Sequence, residues 1–324
     1  MRVYLLILRE DLFKKGKISG KLTLNNQGKY PNLSGMINLD RVIIPSQKLF
    51  IKEASLIAEN NLIKLNAKGG YRRAKFDFKG DILNELKLPV IIKDVNFSLE
   101  NIDAYKLLEF FNNQENAENV IVADNEVYNV ENNNEEFDIR NIIVEKCRFH
   151  LDNGNYKEID FKNLDADLTL NNKGILEISS NKFDFADGTS SLKTNFDLVN
   201  KKYNIKLGAR AVNPDKIASA LFDLKKEISG SASGFLNLNM DESMQLDGNI
   251  KFKIKNGKIE KIGLVQYVLK CASLLRNTVS MISPATFADI VNIPEGKFDD
   301  INGSMVLKKN IVTQINIKTS TNQI

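Results

Sequence analysis

Side chains suited to metal binding or nucleophilic chemistry are scarce in this sequence. It has one histidine, His150, and two cysteines, Cys147 and Cys271. A zinc site takes about four ligands, usually Cys or His, and these three side chains do not suffice. The two thiols would allow one disulfide in an oxidising compartment, although two unpaired, partly buried thiols are the simpler interpretation. The sequence therefore predicts neither a metal nor a cofactor.

His150 is the one candidate for a catalytic histidine. It alternates with Cys147, Phe149 and Leu151, which places it beside Arg148 on the polar side of a strand. A solvated histidine is the simpler interpretation of that position. We therefore assign no catalytic role to His150.

Paired carboxylates, which also serve as acids and bases, occur at Asp165 with Asp167 and at Asp299 with Asp300. Such pairs are ordinary on the solvent side of strands and in turns, and no pattern indicates a cleft that would raise a carboxyl pKa. The sequence also has no GxxxxGK[ST] loop and no GxGxxG motif followed by a helix. We expect a protein that is not an enzyme.

Lysines alternate along Lys251, Lys253 and Lys255, with Lys258 and Lys261 after them. Such a row can meet anionic lipid headgroups, or it can be a solvated strand face that discourages edge pairing. A surface that binds nucleic acid usually has aromatic side chains among its cations, and we expect no aromatic side chain on the strand face that carries these lysines. The formal net charge of the chain is only +4, which also argues against a specialised nucleic-acid binder.

The element that carries these lysines is an amphipathic β-strand. Ile250, Phe252 and Ile254 alternate with the lysines, so one side of the strand is apolar and the other is polar. Gly and Asn punctuate such runs, as at residues 25–28 and 171–174, which is typical of hairpin turns. The pattern predicts a mainly β fold, an elongated and curled antiparallel sheet that forms an open β-groove, with a few short covering helices. The same period of two recurs at Ile18–Leu24, Phe76–Phe78, Val95–Leu99, Leu168–Leu170, Leu176–Ile178 and Leu192–Leu198.

Three helical segments interrupt the strands, at roughly 103–111, 214–224 and 261–281. Asn213 followed by Pro214 gives the second segment a clear N-terminal signal. Residues 112–136 are acidic, rich in Asn and free of Lys and Arg, which is typical of a mobile loop or linker. We therefore divide the chain into a β-groove module at 1–111, this linker, and a second β-groove module at 137–324.

A membrane-spanning segment is not evident. The longest apolar start, Val3 to Leu8, is followed by Arg9, Glu10 and Asp11, whereas a spanning helix needs ~20 apolar residues. A secretory leader also needs a longer apolar core. We expect the chain to be a fragment of a protein whose anchor lies elsewhere.

The second half of the chain has a specific order of motifs. A strand ending at Phe196–Leu198 is followed by another strand, the helix at 213–224, Gly230 and a strand at 234–238. The segment 248–259 contains Asn256-Gly257 and leads into the long predicted helix. A Phe-Asp-Asp-Ile-Asn-Gly segment at 298–303 then precedes the last strand.

This order, over roughly residues 161–324, resembles the C-terminal region of the AsmA-like family, the group that includes AsmA, TamB and YhdP. The family usually continues through further strands and usually begins with a membrane anchor. The resemblance implies a periplasmic protein, anchored to the inner membrane of a diderm bacterium, that binds phospholipid or another acyl lipid along a β-groove. It implies movement of that lipid between the inner and outer membranes, with a membrane and envelope proteins as partners.

The residues that we predict to line the groove are the apolar members of the alternating strands in the second half. They are Phe183, Phe185, Phe196, Leu198, Tyr203, Ile205, Leu207, Leu236, Leu238, Ile250, Phe252, Ile254, Ile311, Ile315 and Ile317.

Three alternatives to a lipid conduit stay open at this point. An assembly factor that pairs its edge strands with outer-membrane proteins is the second interpretation. An ordinary structural or adhesive two-sheet protein is a third interpretation, and an enzyme is the fourth. A sheet whose apolar side chains are not fully covered by protein distinguishes the conduit from a closed two-sheet structure.

Overall fold

The computed structural model describes residues 15–26, 28–44, 48–71, 74–106, 138–222, 228–243, 245–259 and 296–320. These residues form one open sheet of 15 strands, and the strands lie side by side in the order of the chain. The predicted mainly β fold is therefore confirmed. The strands are β1 (Lys15–Asn25), β2 (Asn32–Ile44), β3 (Leu49–Glu59), β4 (Leu62–Tyr71), β5 (Ala74–Leu83), β6 (Val90–Asp103), β7 (Ile142–Tyr156), β8 (Ile159–Leu170), β9 (Ile175–Phe185), β10 (Gly188–Asp197), β11 (Lys202–Val212), β12 (Ser231–Met240), β13 (Leu246–Ile259), β14 (Gly296–Lys308) and β15 (Ile311–Ser320).

Neighbouring strands are antiparallel with one exception. Strands β6 and β7 are parallel, with Phe97 opposite Phe149 and Leu99 opposite Leu151. A short 3-10 helix at Ile139–Asn141 leads into β7. The sheet thus continues from the first predicted module into the second, while the predicted linker at 112–136 lies outside the described residues.

One α-helix, α1 (Pro214–Phe222), follows β11. It begins at Pro214 as predicted, and the Oδ1 atom of Asn213 accepts a hydrogen bond from the Asp215 N–H at 3.0 Å, which caps its first turn. Of the predicted segment at 103–111, residues 104–106 are helical and the remainder lies outside the described residues. The predicted helix at 261–281 also lies outside them.

The sheet curls around α1. Ala218 belongs to a buried cluster with Ile254 and Ile301 of β13 and β14, whereas Ala220 belongs to a cluster with Ile159 and Val212 of β8 and β11. Ala218 and Ala220 are two positions apart, which is about 200° around the helix axis, so these clusters lie on nearly opposite sides of a cylinder ~10–12 Å across. In a flat sheet β8 and β14 would be roughly 29 Å apart. The sheet must therefore bend around the helix, which makes this side concave.

The bend coincides with a series of irregular strand residues. Arg41, Asn163, Ala211 and Asn256 have positive φ angles of 50°, 52°, 54° and 50°, and each interrupts the pairing of its strand with its neighbours. All four lie toward the end of the sheet at which β6 and β11 finish, which we call the helix end. Bulges bend a strand and increase its local twist, so this series bends and twists the helix end of the sheet.

Asn84 organises the opposite end of the sheet. It is only 2% exposed, its Oδ1 accepts from the Leu33 N–H at 2.8 Å, and its Nδ2 donates to the carbonyls of Leu33 and Asn60 at 2.7 and 3.1 Å. The Leu86 N–H donates to the Pro31 carbonyl at 2.8 Å. The loop between β5 and β6 is thereby tied to the start of β2, three strands away.

Candidate functional site

One line of cross-strand neighbours crosses all 15 strands without a charged residue. Its members pair in sequence, so they share the concave side of the sheet, and Thr194 is the one polar member. We call this line the apolar row and its side of the sheet the apolar face. The apolar row is Gly20, Ile37, Leu56, Leu65, Gly80, Val95, Cys147, Leu168, Ile178, Thr194, Ile205, Leu238, Gly248, Leu307 and Val312.

The adjacent line of neighbours has the opposite character. On β1 to β14 each member is the immediate neighbour of an apolar-row residue and therefore lies on the other side of the sheet, which we call the polar face. On β15 the register shift separates Val312 from Gln314 by two residues. Val306 is the one apolar member of this line. This polar row is Ser19, Asn38, Ser55, Asn66, Lys79, Asn96, Arg148, Asp167, Ser179, Lys193, Lys206, Asn237, Asn249, Val306 and Gln314.

Most large side chains of the apolar row are only half-buried. Leu307 is 1% exposed, but the others with described side chains remain partly open to solvent: Ile37, Leu56, Leu65, Val95, Leu168, Ile178, Ile205 and Leu238. Within the described residues, α1 is the one α-helix packed on this face. An apolar surface of this length is normally covered by something.

Thirteen of the predicted groove residues lie on the apolar face, in register with the apolar row. The other two, Leu198 and Ile311, do not lie on that face. Leu198 lies in the turn that follows β10. Ile311 pairs with Lys308, because the register shifts between Val306 and Leu307. The expectation that Ile311 shares a face with Ile315 and Ile317 is therefore wrong. Among the thirteen, Phe183, Ile254 and Ile315 are buried and the others are half-buried.

Aromatic rings on the apolar face lie over glycines of the neighbouring strand. Phe252 pairs with Gly303, and a Cβ atom at Gly303 would overlap its ring. Phe161 covers Gly154 and Phe298 covers Gly257 in the same way. Each ring therefore occupies the space beside a glycine, where the neighbouring strand has no side chain.

A cleft of about 1130 Å³ opens in the first half of the sheet at the helix end. Its walls are mainly apolar, and the rings of Phe76 and Phe97 lie 6.4 Å apart within it. Pockets for drug-sized ligands typically measure ≈ 300–1,000 Å³, so the cleft is large by that standard. The apolar wall comprises Ile44, Leu49, Tyr71, Phe76, Phe97 and Leu99.

Polar side chains line the rim of this cleft. The Lys106 ammonium lies 2.8 Å from an Asp103 carboxylate oxygen, and the Lys106 N–H also donates to Asp103 Oδ1 at 3.1 Å. These contacts with Lys106 lower the pKa of Asp103. Lys48 and Asn101 complete the rim. An acyl chain with a polar headgroup has the same division between an apolar body and a polar end.

None of the residues that line this cleft was among the predicted groove residues, which all come from the second half of the chain. The signal was present, since Phe76 with Phe78 and Val95 with Phe97 and Leu99 show the same alternation. What the sequence does not give is the depth of the cleft. The cleft depends on which side chains meet across neighbouring strands, as Phe76 of β5 and Phe97 of β6 do.

His150 lies on the polar face, as predicted from its alternation. Its Nδ1 atom is 2.6 Å from Asp165 Oδ1 and its Nε2 atom is 2.9 Å from Asp152 Oδ1. The hydrogen bond with Asp165, followed by that with Asp152, raises the pKa of the imidazole. Because the side chain is 42% exposed, this arrangement is that of a surface ion-pair group.

Cys147 lies in the apolar row, between Val95 and Leu168. Its thiol is free and half-buried. Burial raises the pKa of this thiol, and Asp94 and Asp167 raise it further. A raised pKa keeps the thiol protonated at neutral pH and lowers its reactivity. Cys271 lies outside the described residues.

None of the helices in the described part of the chain has the length and apolar character needed to cross a membrane. Comparisons with protein-family models, with curated proteins and with solved structures gave no match to this chain.

Proposed function

We propose that the protein binds the acyl chains of lipids along its apolar face and conducts lipid across its strands. The observation that carries this proposal is the apolar row, which crosses 15 paired strands without a charge while most of its large side chains stay half-exposed. A ligand that covers such a face must be long, apolar and tolerant of an uneven path. Acyl chains have these properties.

The free energy available is sufficient without a specific polar site. Transfer of one chain of ~16 carbons from water gains on the order of 10 kcal/mol if it is fully enclosed, at ≈ 0.8 kcal/mol per methylene. Enclosure by an open face is partial, and ordering of the chain lowers the net value further. The moderate affinity that remains suits a surface over which lipid must move.

The path runs perpendicular to the strands. Neighbouring strands are ≈ 4.7–4.9 Å apart, so the row from β1 to β15 extends for roughly 65–70 Å. The curl brings β8 and β14 around α1, so the path bends around the helix in the second half of the sheet. Polar headgroups would project from the open side of the trough that this concave face forms.

The same function is implied by the resemblance of residues 161–324 to the AsmA-like family. We accordingly place the protein in the periplasm of a diderm bacterium, attached to the inner membrane, with phospholipid as the cargo. In this account no residue acts as a catalyst, so the protein is not an enzyme and needs no cofactor.

Photocrosslinking from opposite faces of one strand tests the proposal. p-Benzoylphenylalanine is placed at Leu207 or at Lys206, adjacent residues of β11 that pair on the apolar and polar faces respectively. Irradiation in the presence of detergent-dispersed phosphatidylcholine, which has no net charge and forms no bilayer there, should give a lipid adduct at 207 and none at 206. Equal labelling at the two positions, or none at 207, would reject the proposal.

A second candidate function rests on the outermost described strands. Strands β1 and β15 each pair with one described neighbour. Strand β1 carries Lys15, Lys17 and Lys21, which discourage pairing with another chain, whereas β15 carries Lys318 alone. Strand β15 therefore suits addition of a client strand, as an assembly factor for outer-membrane proteins would require.

Amide hydrogen exchange separates this candidate from the first. An unfolded outer-membrane protein that pairs with β15 should slow exchange in residues 311–320 and leave the crosslinking pattern of β11 unchanged. Unaltered exchange in β15 would exclude strand addition at that edge.

A further inference from the structure

Strands β10 to β13 differ from the first half of the sheet in how the charges of the polar face are paired. In the first half cations lie beside acids, as when the Lys68 ammonium stands 3.8 Å from Glu53 and 3.7 Å from Asp77. Within β10 to β13 the only acidic residues are Asp197 and Asp247. The basic residues of these four strands are Lys193, Lys202, Lys206, Arg210, Lys251, Lys253, Lys255 and Lys258.

Two of these lysines face each other directly. Lys193 of β10 pairs with Lys206 of β11, and like charges in directly opposed positions destabilise a sheet. In the described part of the chain neither lysine forms a salt bridge, although Lys253 reaches Asp300 at 3.0 Å. The stability of the sheet therefore does not account for this concentration of charge.

An exposed aromatic ring stands among these cations. Phe235 of β12 pairs with Gly208 on one side and with Lys251 on the other, and it is 45% exposed. Lys206 and Lys253 occupy diagonal positions on the adjacent strands, within reach of long side chains. We define the basic patch as Phe235 with Lys193, Lys206, Arg210, Lys251 and Lys255.

The basic patch lies on the outer side of the curled sheet. Strands β8 to β14 bend around α1, which occupies the opposite, concave side. The face that carries Phe235 is therefore convex across these strands. A convex surface can approach a broad, flat partner.

We propose that the basic patch docks the protein on the surface of an anionic lipid bilayer. The lysines and Arg210 would meet the headgroups, and Phe235 would enter the interfacial layer, since an apolar ring within a field of cations is typical of peripheral membrane binding. Single-stranded nucleic acid is the competing partner. It is less favoured because it stacks successive bases on several aromatic rings, and the patch offers one. This docking uses the polar face and does not depend on lipid in the trough.

Vesicle co-sedimentation tests the docking surface. The full chain should bind vesicles of phosphatidylcholine with phosphatidylserine, bind vesicles of phosphatidylcholine alone much more weakly, and detach as salt is raised. The double variant Lys206→Glu/Lys251→Glu should bind at least about 20-fold more weakly, because each basic residue near an anionic surface contributes about fivefold. Phe235→Ala should weaken binding several-fold at every salt concentration.

Lys79→Glu is the matched control, since Lys79 is an exposed lysine of the polar row in the other half. It should bind vesicles like the parent chain. Phe252→Asp, on the apolar face, should also dock normally, so failure of lipid carriage and failure of docking are distinguishable. Vesicle binding that is unchanged in the double variant, or absent altogether, overturns the proposal. Binding of single-stranded DNA in place of vesicles, lost in the double variant, overturns it in favour of nucleic acid.

Discussion

The rings of Phe97 in β6 and Phe149 in β7 lie 5.7 Å apart across the one parallel strand pair of the sheet. This contact joins the apolar faces of the two halves. Phe97 also lies 6.4 Å from Phe78 and from Phe76, which lines the cleft. A lipid that leaves the cleft toward the second half would pass over this aromatic junction.

A charge at that junction should interrupt lipid carriage. Phe149 is half-buried, so an Asp at this position stays partly hydrated and the sheet should still form. We expect Phe149→Asp to hold markedly less lipid per protein than the parent, with an unchanged β-sheet circular dichroism spectrum. Phe149→Leu, which keeps the apolar surface, is the control and should hold parental amounts. Equal lipid content in the Asp and Leu variants would contradict a continuous path.

Lipid on the apolar row should shield Cys147. In a Cys271→Ser background, alkylation of Cys147 by an uncharged maleimide should be several-fold slower for the lipid-loaded protein than for the delipidated protein. The bound lipid should cover the thiol directly, because Cys147 lies between Val95 and Leu168 on the proposed path. A cysteine placed at Ser179 of the polar row should react at one rate in both states. Identical rates at Cys147 would mean that lipid does not pass over it.

The Phe252 ring should be displaced by a methyl group beneath it. A Cβ atom at Gly303 would overlap that ring, so Gly303→Ala should lower the free energy of unfolding by about 1–3 kcal/mol. Gly70→Ala is the control, because the nearest atom to its added methyl is an ordinary 3.5 Å away. Urea unfolding monitored by circular dichroism gives both values. A neutral Gly303→Ala would show that the ring does not rest on the glycine.

Asn84 should be the most important polar residue at its end of the sheet. Its amide makes three hydrogen bonds to Leu33 and Asn60 while almost fully buried. Asn84→Ala leaves buried backbone groups without partners, which costs about 1–3 kcal/mol. Asn66→Ala, at an exposed position on β4, should change the stability by much less. Similar unfolding midpoints for the two variants would contradict the role of Asn84 as a tie.

His150 should make stability depend on pH. Asp165 and Asp152 raise its folded-state pKa above the ordinary value of 6.5, so the imidazolium stabilises the fold fully below about pH 6.5 and that contribution is lost as the pH rises through the folded-state pKa. The Tm difference between the parent and His150→Gln should therefore shrink from about pH 6 to about pH 9. The effect should be small because the pair is exposed. A difference that grows with pH would contradict this assignment.

The period-two alternation was sufficient to predict the apolar face. Residues such as Ile205, Leu236 and Phe252 were placed correctly because a strand offers only two sides, and one residue of offset changes the side. The start of α1 was also predictable, since Asn213 and Pro214 carry its signal locally. These are features that a short stretch of sequence determines by itself.

Features that depend on how distant strands meet were not predictable. The bulge that moves Ile311 to the polar face has no local mark in the sequence, because Thr313 fits a regular strand as well as a bulge. Phe235 was not expected beside the lysines of β13, since its neighbour Lys251 lies on another strand. The parallel pairing of β6 with β7 likewise depends on where the chain returns after Asp103.

Native mass spectrometry of the purified chain, with extraction and identification of the bound lipid, tests the central claim most directly. We predict phospholipid bound to the parent protein, strongly reduced in Phe252→Asp and retained in Asn249→Asp, which places the same charge on the polar face of the same strand. Both variants should keep the β-sheet circular dichroism spectrum. A stable chain that carries no lipid, or that loses lipid equally in the two variants, would contradict the claim.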